Sequence, residues 1–331
     1  MTDKPKLLVA RKTFDDVVER LRAHFEVETN EADQVWSQDE LIQRLQGMVG
    51  VYITGSEKID ARLLDACPDL RAVCTMAVGY NNIDVPACSA RGVLVSNAPD
   101  VLTETTADFG FALMMATARR ITESEHFLRR GEWSKWSYDM FAGSDVHGAT
   151  LAILGMGRIG QAIARRGHLG FGMPVIYHNR SPLAPEIAAP LGAHWVEKDE
   201  LLRRADHLVI VVPYSPAAHH MVGERELALM KPSATLTNIA RGGVVDDAAL
   251  ARALAAGTIA AAGLDVFEGE PQVHAGLLAA RNVVLTPHIA SASIPTRRAM
   301  SHLAVDNLIA ALSGGTPPTA LNPDVLNRAS T

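Results

Sequence analysis

The stretch that decides the fold lies at residues 150–167 and reads TLAILGMGRIGQAIARRG. An apolar run of strand length leads into a G-x-G-x-x-G turn, and a segment with helical periodicity leaves it. In such a turn the first glycine permits a tight bend, the second lets a pyrophosphate approach, and the third lets helix and strand pack. We therefore expect a dinucleotide here, held by the amides and dipole of the helix start. The predicted site comprises Gly155, Met156, Gly157, Arg158, Ile159 and Gly160.

Short apolar runs alternate with helical segments on both sides of this turn, as in parallel sheets covered by helices. A chain of 331 residues is too long for one core. The units after residue 150 predict a Rossmann domain, and those of the first 100 residues predict a separate flavodoxin-like domain. Residues 294–312 form a further predicted helix that packs back on the N-terminal part. We therefore predict an α/β protein of two doubly wound parallel-sheet domains, in which a dinucleotide-binding domain (102–292) is inserted into a discontinuous substrate-binding domain (1–101 and 293–331).

Composition and charge exclude several classes of partner. With 31 lysines and arginines against 37 aspartates and glutamates, the formal charge of −6 offers no electrostatic footprint for nucleic acid or anionic lipid. The longest apolar runs are of strand length, and the first residues lack a signal-peptide pattern, so we expect no membrane association. The three cysteines form no C-x-x-C pair, and we expect small buried side chains in a reducing compartment. These features predict a cytoplasmic protein.

Two adjacent histidines, His219 and His220, raise the question of a metal site. Neighbouring side chains point in different directions on a strand or a helix, and the sequence shows no matching third ligand. We therefore interpret both histidines as structural residues and predict no metal.

The strand after the glycine turn, PVIYHNRS, ends without an acidic residue. A site for NAD places a carboxylate there, which accepts hydrogen bonds from the adenosine ribose. This sequence has Asn179, Arg180 and Ser181 instead. A guanidinium binds a 2′-phosphate through a forked, charge-assisted contact, whereas a carboxylate would repel it. We therefore predict NADPH in preference to NADH, with Arg180 as the main discriminator.

Three later segments each end a predicted strand: TNIARGG with Arg241, GLDVFEGEP with Glu270 and LTPHIAS with His288. Strand ends are where open α/β sheets bind ligands. The motifs N-x-x-R-G, G-L-D-V-F-E-x-E-P and P-H-I-A-S, in this order after the glycine turn, resemble the D-isomer-specific 2-hydroxyacid dehydrogenase family, nearly end to end. Within this family, the sequences at residues 77–80, at 100–108 and at Y-H-N-R most resemble the branch of glyoxylate, hydroxypyruvate and 2-ketogluconate reductases.

The resemblance implies that the protein reduces a small 2-oxo acid to a D-2-hydroxy acid by hydride transfer. Arg241 is expected to hold the carboxylate beside the reacting carbon through two parallel hydrogen bonds. His288 is expected to act as general acid toward the carbonyl oxygen. Glu270, bonded to the other imidazole nitrogen, would orient the ring and favour its charged form. These three residues are the predicted catalytic set.

The family pattern also implies supporting roles. The backbone near Val78 and Gly79 resembles the loop that receives the substrate carboxylate, where glycine permits close approach. Val212 and Pro213 correspond to the adenine and ribose side of the cofactor. The positions that line the nicotinamide are Thr106, Ile239, Ala240 and Asp265, with Asp265 expected to hold the carboxamide. The resemblance further implies a homodimer formed through the dinucleotide-binding domains, in which Trp136 or a neighbour reaches the partner's active site.

Other functions within the same fold stay open at this point. Another D-2-hydroxyacid dehydrogenase, of the phosphoglycerate or D-lactate type, is the nearest alternative. Two features argue against a phosphoglycerate dehydrogenase. An acidic residue is missing at Asn179, and the C-terminus is too short for the regulatory domain that many such enzymes carry. A nucleotide-sensing binding protein is the alternative from a different class, because a group of transcriptional corepressors resembles these motifs. The sequence does not specify which 2-oxo acid is the physiological substrate.

Overall fold

A computed structural model describes residues 4–328. These residues divide into two compact units, one formed by residues 4–102 and 293–328 and the other by residues 103–292. The first boundary lies one residue later than the predicted one. Each unit consists of a parallel sheet with helices packed on it, which confirms the predicted fold class.

The first unit has a five-stranded parallel sheet. Its strands are β1 (Lys6–Val9), β2 (Glu26–Thr29), β3 (Gly50–Ile53), β4 (Ala72–Thr75) and β5 (Leu94–Ser96). They are arranged in the order β2-β1-β3-β4-β5, which is the flavodoxin-like order that we predicted. The helices between them are α1 (Asp15–His24), α2 (Gln38–Arg44), α3 (Ala61–Ala66) and α4 (Val85–Ala90).

The second unit has a seven-stranded parallel sheet. Its strands are β6 (Leu151–Leu154), β7 (Val175–His178), β8 (Ala193–Trp195), β9 (His207–Ile210), β10 (Thr235–Asn238), β11 (Ala261–Leu264) and β12 (Val283–Leu285). The order β12-β11-β10-β9-β6-β7-β8 is that of a Rossmann domain with one added edge strand. Its helices are α5 (Thr103–Ala118), α6 (Ile121–Arg129), α7 (Arg158–Arg165), α8 (Pro185–Ala188), α9 (Lys198–Arg204), α10 (Glu224–Leu229), α11 (Asp247–Ala256) and α12 (Ala275–Ala279).

Helix α5 packs closely within the second unit, against α7, β10 and β11. Small residues permit this approach. A Cβ on Gly110 would lie 2.6 Å from Ile239 Cδ1, and one on Gly263 would lie 2.4 Å from Thr117 Oγ1. Burial along much of its length explains the apolar sequence of α5. Neither α5 nor another helix among residues 4–328 is long and apolar enough to cross a membrane.

The chain re-enters the first unit through α13 (Ile294–Leu312) and α14 (Asp324–Arg328). Helix α13 has the bounds that the sequence predicted. Its N-cap is Ser293, whose side chain accepts a hydrogen bond from Thr296 N. The helix packs on α1, β3 and β4. Gly50 makes this possible, because a Cβ there would lie 2.8 Å from Leu312 Cδ1.

The three cysteines, Cys67, Cys74 and Cys88, are buried and form no disulfide, as predicted. Burial raises the pKa of the Cys74 and Cys88 thiols to about 12. Both thiols are therefore protonated at neutral pH and behave as small apolar side chains.

One buried side chain, that of Asn322, ties the segment after α13 to β5. Its Oδ1 accepts a hydrogen bond from Val95 N at 2.8 Å, and its Nδ2 donates to Val93 O and to Ser89 Oγ, both at 2.9 Å. Leu321 N donates to Val95 O at 2.8 Å. The edge of the sheet at β5 is thus completed by a segment more than 200 residues further along the chain.

Replacing Asn322 by alanine would leave the Val95 amide and the Val93 carbonyl without this partner in a buried place. We expect the free energy of unfolding of the first unit to fall by about 1–3 kcal/mol, as measured by urea denaturation followed by circular dichroism. The matched control is Asn327→Ala in α14, at an exposed asparagine, which should change it by less than about 0.5 kcal/mol. Equal effects of the two substitutions would contradict the role of Asn322.

Candidate active site

The glycine turn joins β6 to α7, and close contacts require two of its glycines. Gly155 has a φ of +103°, and a Cβ there would lie 2.8 Å from Val212 N. A Cβ on Gly160 would lie 2.3 Å from Gly155 O. The first glycine therefore permits the bend, and the third lets α7 pack against the turn.

The second glycine, Gly157, leaves space for a ligand. A Cβ there would have no heavy atom within 4 Å. Gly157 is the N-cap of α7 and offers no side-chain hydrogen bond to the helix. Open space beside the start of a helix fits the pyrophosphate of a dinucleotide.

Met156 and Asn179 bind each other. Met156 N donates to Asn179 Oδ1 at 2.7 Å, and Gln161 Nε2 donates to Met156 O at 3.2 Å. The Met156 side chain is buried. Asn179 thus holds the turn in place, across 23 positions of sequence. Contact of Met156 and Asn179 with the cofactor stays a prediction for both residues.

Arg180 and Ser181 follow β7 and are exposed. The backbone beside them is held by Trp195, whose Nε1 donates to Asn179 O at 3.0 Å. Within residues 4–328, Arg180 forms no ion pair or side-chain hydrogen bond. Its guanidinium is therefore available to an anionic group of a ligand.

Val212 and Pro213 follow β9, which pairs with β6. Val212 contacts the glycine turn, because a Cβ on Gly155 would lie only 2.8 Å from Val212 N. Pro213 is exposed. Adjacent parallel strands end at the same edge of the sheet, so these two residues lie beside the turn.

The predicted nicotinamide lining includes a buried hydroxyl without a partner. Thr106 lies one turn before Gly110 in α5, and Gly110 packs on Ile239; Thr106, Ile239 and Ala240 are all buried. Within the described residues, Thr106 Oγ1 has no hydrogen-bond partner. Because a buried polar atom without a partner is costly, this hydroxyl fits a polar group of a bound ligand, such as a carboxamide.

Arg241 is positioned by two neighbours in its motif. Asn238 Oδ1 accepts a hydrogen bond from Ala240 N at 3.0 Å, and its Nδ2 donates to Arg241 O at 3.4 Å. A Cβ on Gly242 would collide with Phe267 O. No role was predicted for the asparagine or the glycine of this N-x-x-R-G motif. The asparagine shapes the loop that carries Arg241, and the glycine lets that loop meet the one after β11.

Glu270 and His288 form a hydrogen-bonded pair. His288 Nδ1 lies 2.8 Å from Glu270 Oε2, and Phe267 N donates to Glu270 Oε1 at 2.9 Å. The side chain of His288 is 44% exposed and that of Glu270 is 33% exposed, so the pair is open to a ligand. Nδ1 is engaged by the carboxylate, and Nε2 has no hydrogen-bond partner among residues 4–328. This is the arrangement that the sequence predicted for these two residues.

Asp265 holds the loop that presents His288. Its carboxylate accepts hydrogen bonds from Thr286 Oγ1 at 2.7 Å and from the amides of Ile289 and Ala290, both at 2.8 Å. His288 N donates to Asp265 O at 2.9 Å, and His288 adopts a left-handed φ of +54°. Asp265 is fully buried. Burial raises the pKa of its carboxyl, although the hydrogen bonds from these donors act in the opposite direction. Its oxygens thus position His288, a role that the sequence analysis missed.

The charges of the three predicted catalytic residues act on one another. Burial alone would raise the pKa of Glu270, but the hydrogen bond and charge of His288, the Phe267 amide and the charge of Arg241 together hold this pKa below its usual value. Burial lowers the pKa of Arg241, opposed by the charge of Glu270. Gly242, next to Arg241, lies against Phe267 of the loop that carries Glu270, so Arg241 lies on a loop that neighbours the Glu270–His288 pair.

Val78 and Gly79 lie in the first unit, in the loop after β4. Asn97 Nδ2 donates to Val78 O at 2.8 Å. In the described part of the chain, neither residue's amide donates a hydrogen bond. Two successive amides without a partner fit an anionic group, as expected for a substrate carboxylate.

The two adjacent histidines differ from the sequence-based expectation. Their rings do not diverge but stack, with centroids 3.9 Å apart and an interplanar angle of 21°. The reason is the left-handed backbone of His220, with a φ of +50°, which breaks the alternation of neighbouring side chains. Glu268 lies beside them as a third candidate ligand. The two expectations used against a metal site, diverging side chains and no third ligand, are therefore both wrong.

Comparison with known proteins identifies the family. Residues 111–290 match the model of the D-isomer specific 2-hydroxyacid dehydrogenase NAD binding domain. The chain is 48% identical to a glyoxylate reductase of Thermococcus onnurineus (strain NA1) over 328 residues, 98% of each protein. It is 47% identical to glyoxylate/hydroxypyruvate reductase B of Yersinia pestis (strain Pestoides F), covering 98% of this chain and 99% of that one.

A solved structure agrees with this assignment. The NADPH-dependent glyoxylate/hydroxypyruvate reductase of Sinorhizobium meliloti, in complex with NADP and malonate, superposes with a TM-score of 0.86 at 38% identity, covering 97% of this chain and 98% of that one. Both the sequence and the fold are thus shared over nearly the whole length. The chain belongs to the D-isomer specific 2-hydroxyacid dehydrogenase family and is an NAD(P)-dependent dehydrogenase.

Proposed function

We propose that this enzyme reduces glyoxylate and hydroxypyruvate, and 2-ketogluconate as a longer substrate, to the D-2-hydroxy acids with NADPH. The observation that carries the proposal is the Glu270–His288 pair with Arg241 acting on the same carboxylate. The names of the relatives from Thermococcus onnurineus and Yersinia pestis support the substrate class. A dinucleotide, when bound, supplies the hydride.

The proton for the carbonyl oxygen would come from His288. Because Nδ1 is bonded to Glu270 Oε2, Nε2 is the nitrogen that would donate to the substrate. The hydrogen bond and charge of His288 contribute to a lowered pKa of Glu270, and the ionised carboxylate orients the imidazole through Nδ1. Arg241 would bind the substrate carboxylate next to this carbonyl and so fix the orientation of the carbonyl group. The amides of Val78 and Gly79 are proposed to bind a carboxylate of the substrate.

The preference for NADPH rests on the end of β7. Arg180 is exposed and free of ion pairs within residues 4–328, and no carboxylate stands at positions 179–181. We propose that Arg180 and Ser181 bind the 2′-phosphate, while the helix start at Gly157 holds the pyrophosphate. The relative from Sinorhizobium meliloti is described as NADPH-dependent, which agrees with this proposal. Thr106, Ile239 and Ala240 would line the nicotinamide, and Val212 and Pro213 the adenosine.

A homodimer through the dinucleotide-binding unit is part of the proposal. This unit exposes several large apolar side chains within one stretch of sequence, and Trp136 and Tyr138 are 73% and 86% exposed. Exposed aromatic residues in such numbers are typical of protein interfaces. The others in this stretch are Ile121, Leu128 and Trp133.

We further propose a cytoplasmic location. The buried Cys74 and Cys88 thiols, whose pKa burial raises to about 12, suit a reducing compartment in which no disulfide is needed.

The purified protein should oxidise NADPH when glyoxylate or hydroxypyruvate is added, and His288→Ala should lower kcat/KM by at least about 100-fold because the general acid is lost. Arg241→Lys keeps the charge but loses the forked contact, so we expect a raised KM. The measurement is the loss of reduced nicotinamide absorbance.

His194→Ala, at an exposed histidine of β8, is the control and should leave kcat/KM unchanged. NADPH binding by the His288→Ala variant, measured by fluorescence, should be largely intact. No turnover by the unaltered protein with glyoxylate, hydroxypyruvate or 2-ketogluconate would favour a nucleotide-sensing protein instead.

Arg180→Asp should reduce the ratio of kcat/KM for NADPH to that for NADH by about 10- to 100-fold, since a charge-assisted contact to the 2′-phosphate contributes about 1.5–3 kcal/mol. Arg119→Asp, at another exposed arginine of the same unit, controls for the change in net charge. An unaltered cofactor ratio in the Arg180 variant refutes the assignment.

Trp136→Ala should change the KM or kcat for hydroxypyruvate if this side chain reaches the partner's active site, and should weaken the dimer in sedimentation measurements because interface aromatics contribute strongly. Val35→Ala, at an apolar residue of the first unit that is 72% exposed, is the matched control. Unchanged kinetics and mass in the Trp136 variant would remove the support for its role.

A further inference from the structure

Three side chains of the second unit bring metal-binding atoms together away from the Glu270–His288 pair. They are His219, His220 and Glu268, and one ligand atom of each lies within 4.8 Å of the others. In residues 4–328 this is the sole group of three or more histidine, cysteine or acidic side chains with that property. The proposed reaction does not use these side chains.

The backbone builds the pair of imidazoles. His220 N donates to Gly243 O at 2.7 Å, which holds His220 in its left-handed conformation and brings the two rings into a stack. Gly243, at a φ of +77°, leaves room for His219, because a Cβ there would lie 3.3 Å from His219 Nδ1. The stacked arrangement therefore depends on a specific contact between two loops.

The carboxylate is also held in place. Glu268 Oε2 lies 2.9 Å from His220 Nε2, and Glu268 N donates to Asp247 Oδ2 at 3.0 Å. The side chains of His220 and Glu268 are 37% and 42% exposed, so an ion from solvent can enter.

Each imidazole has an oxygen near its Nδ1, at hydrogen-bond distance for His219 and at ion-pair distance for His220. His220 Nδ1 lies 3.8 Å from Asp246 Oδ2, and His219 Nδ1 lies 3.3 Å from the Tyr214 hydroxyl. Histidines that bind a metal generally use one nitrogen for the ion and bond the other to a carboxylate or similar group, which fixes the ring. In both residues this leaves Nε2 for the metal.

We infer that His219, His220 and Glu268 form a binding site for a divalent transition metal of the zinc class. Two imidazoles and a carboxylate are a zinc ligand set that keeps a position open for water. Mg²⁺ and Ca²⁺ prefer oxygen ligands alone. On binding, the metal replaces the proton shared by His220 Nε2 and Glu268, and that proton leaves to solvent. The inference does not depend on the proposed reductase function, because metal binding is measured without turnover.

The test uses the full-length protein, freed of metals by dialysis against a chelator, and Zn²⁺ alone as the probe. Isothermal titration should give one saturable Zn²⁺ site per chain. His220→Gln and Glu268→Gln should each weaken binding by at least about tenfold, and His219→Gln should do the same. Circular dichroism and NADPH binding of each variant show that it is folded.

The matched control is His302→Gln. His302 Nε2 also pairs with a carboxylate, that of Asp16, at 3.0 Å, but this pair is not part of a three-ligand group. Zn²⁺ affinity should be unchanged in this variant. Three results would overturn the inference: no saturable Zn²⁺ site in the unaltered protein, full affinity in folded His220→Gln and Glu268→Gln variants, or displacement of Zn²⁺ by an equal concentration of Mg²⁺.

Discussion

The hydrogen bond between Glu270 Oε2 and His288 Nδ1 is the contact on which the site depends, because it decides which imidazole nitrogen faces a ligand. His288 adopts a left-handed backbone, which a residue with a Cβ rarely does. Fully buried Asp265 stabilises this conformation through the amides of Ile289 and Ala290. A strained backbone is thus maintained by a buried carboxylate, and the exposed ring of His288 is oriented by its bond to Glu270.

The parallel sheet explains why distant residues meet. Strands β6, β7, β9, β10, β11 and β12 all end at one edge of the second unit's sheet, and the loops that follow them carry the glycine turn, Arg180, Val212, Arg241, Glu270 and His288. Contacts between neighbouring loops help to hold them in place. Asn179 bonds the glycine turn, and the backbone of Gly242 lies against that of Phe267.

The loop after β11 serves two groups of side chains. Glu270 faces His288, whereas Glu268, two positions earlier, lies beside His220. The same loop is fixed at its start by Asp247, which accepts from Glu268 N. A stiff loop of this kind lets one short segment supply carboxylates to two places, because each side chain has its own partner.

The sequence by itself determined the fold class, the two sheets, the bounds of α13 and the need for Gly155 and Gly160, whereas the pairing of Glu270 with His288 was implied by the resemblance to a family. These features follow from periodicity, from local steric limits and from motifs whose residue types suit one chemistry. Only the tertiary structure decided that Asn179 binds the Met156 amide and that the rings of His219 and His220 stack beside Glu268. Such hydrogen-bond partners lie more than 20 residues apart, and left-handed backbone conformations arise from contacts between loops, which no local pattern in the chain records.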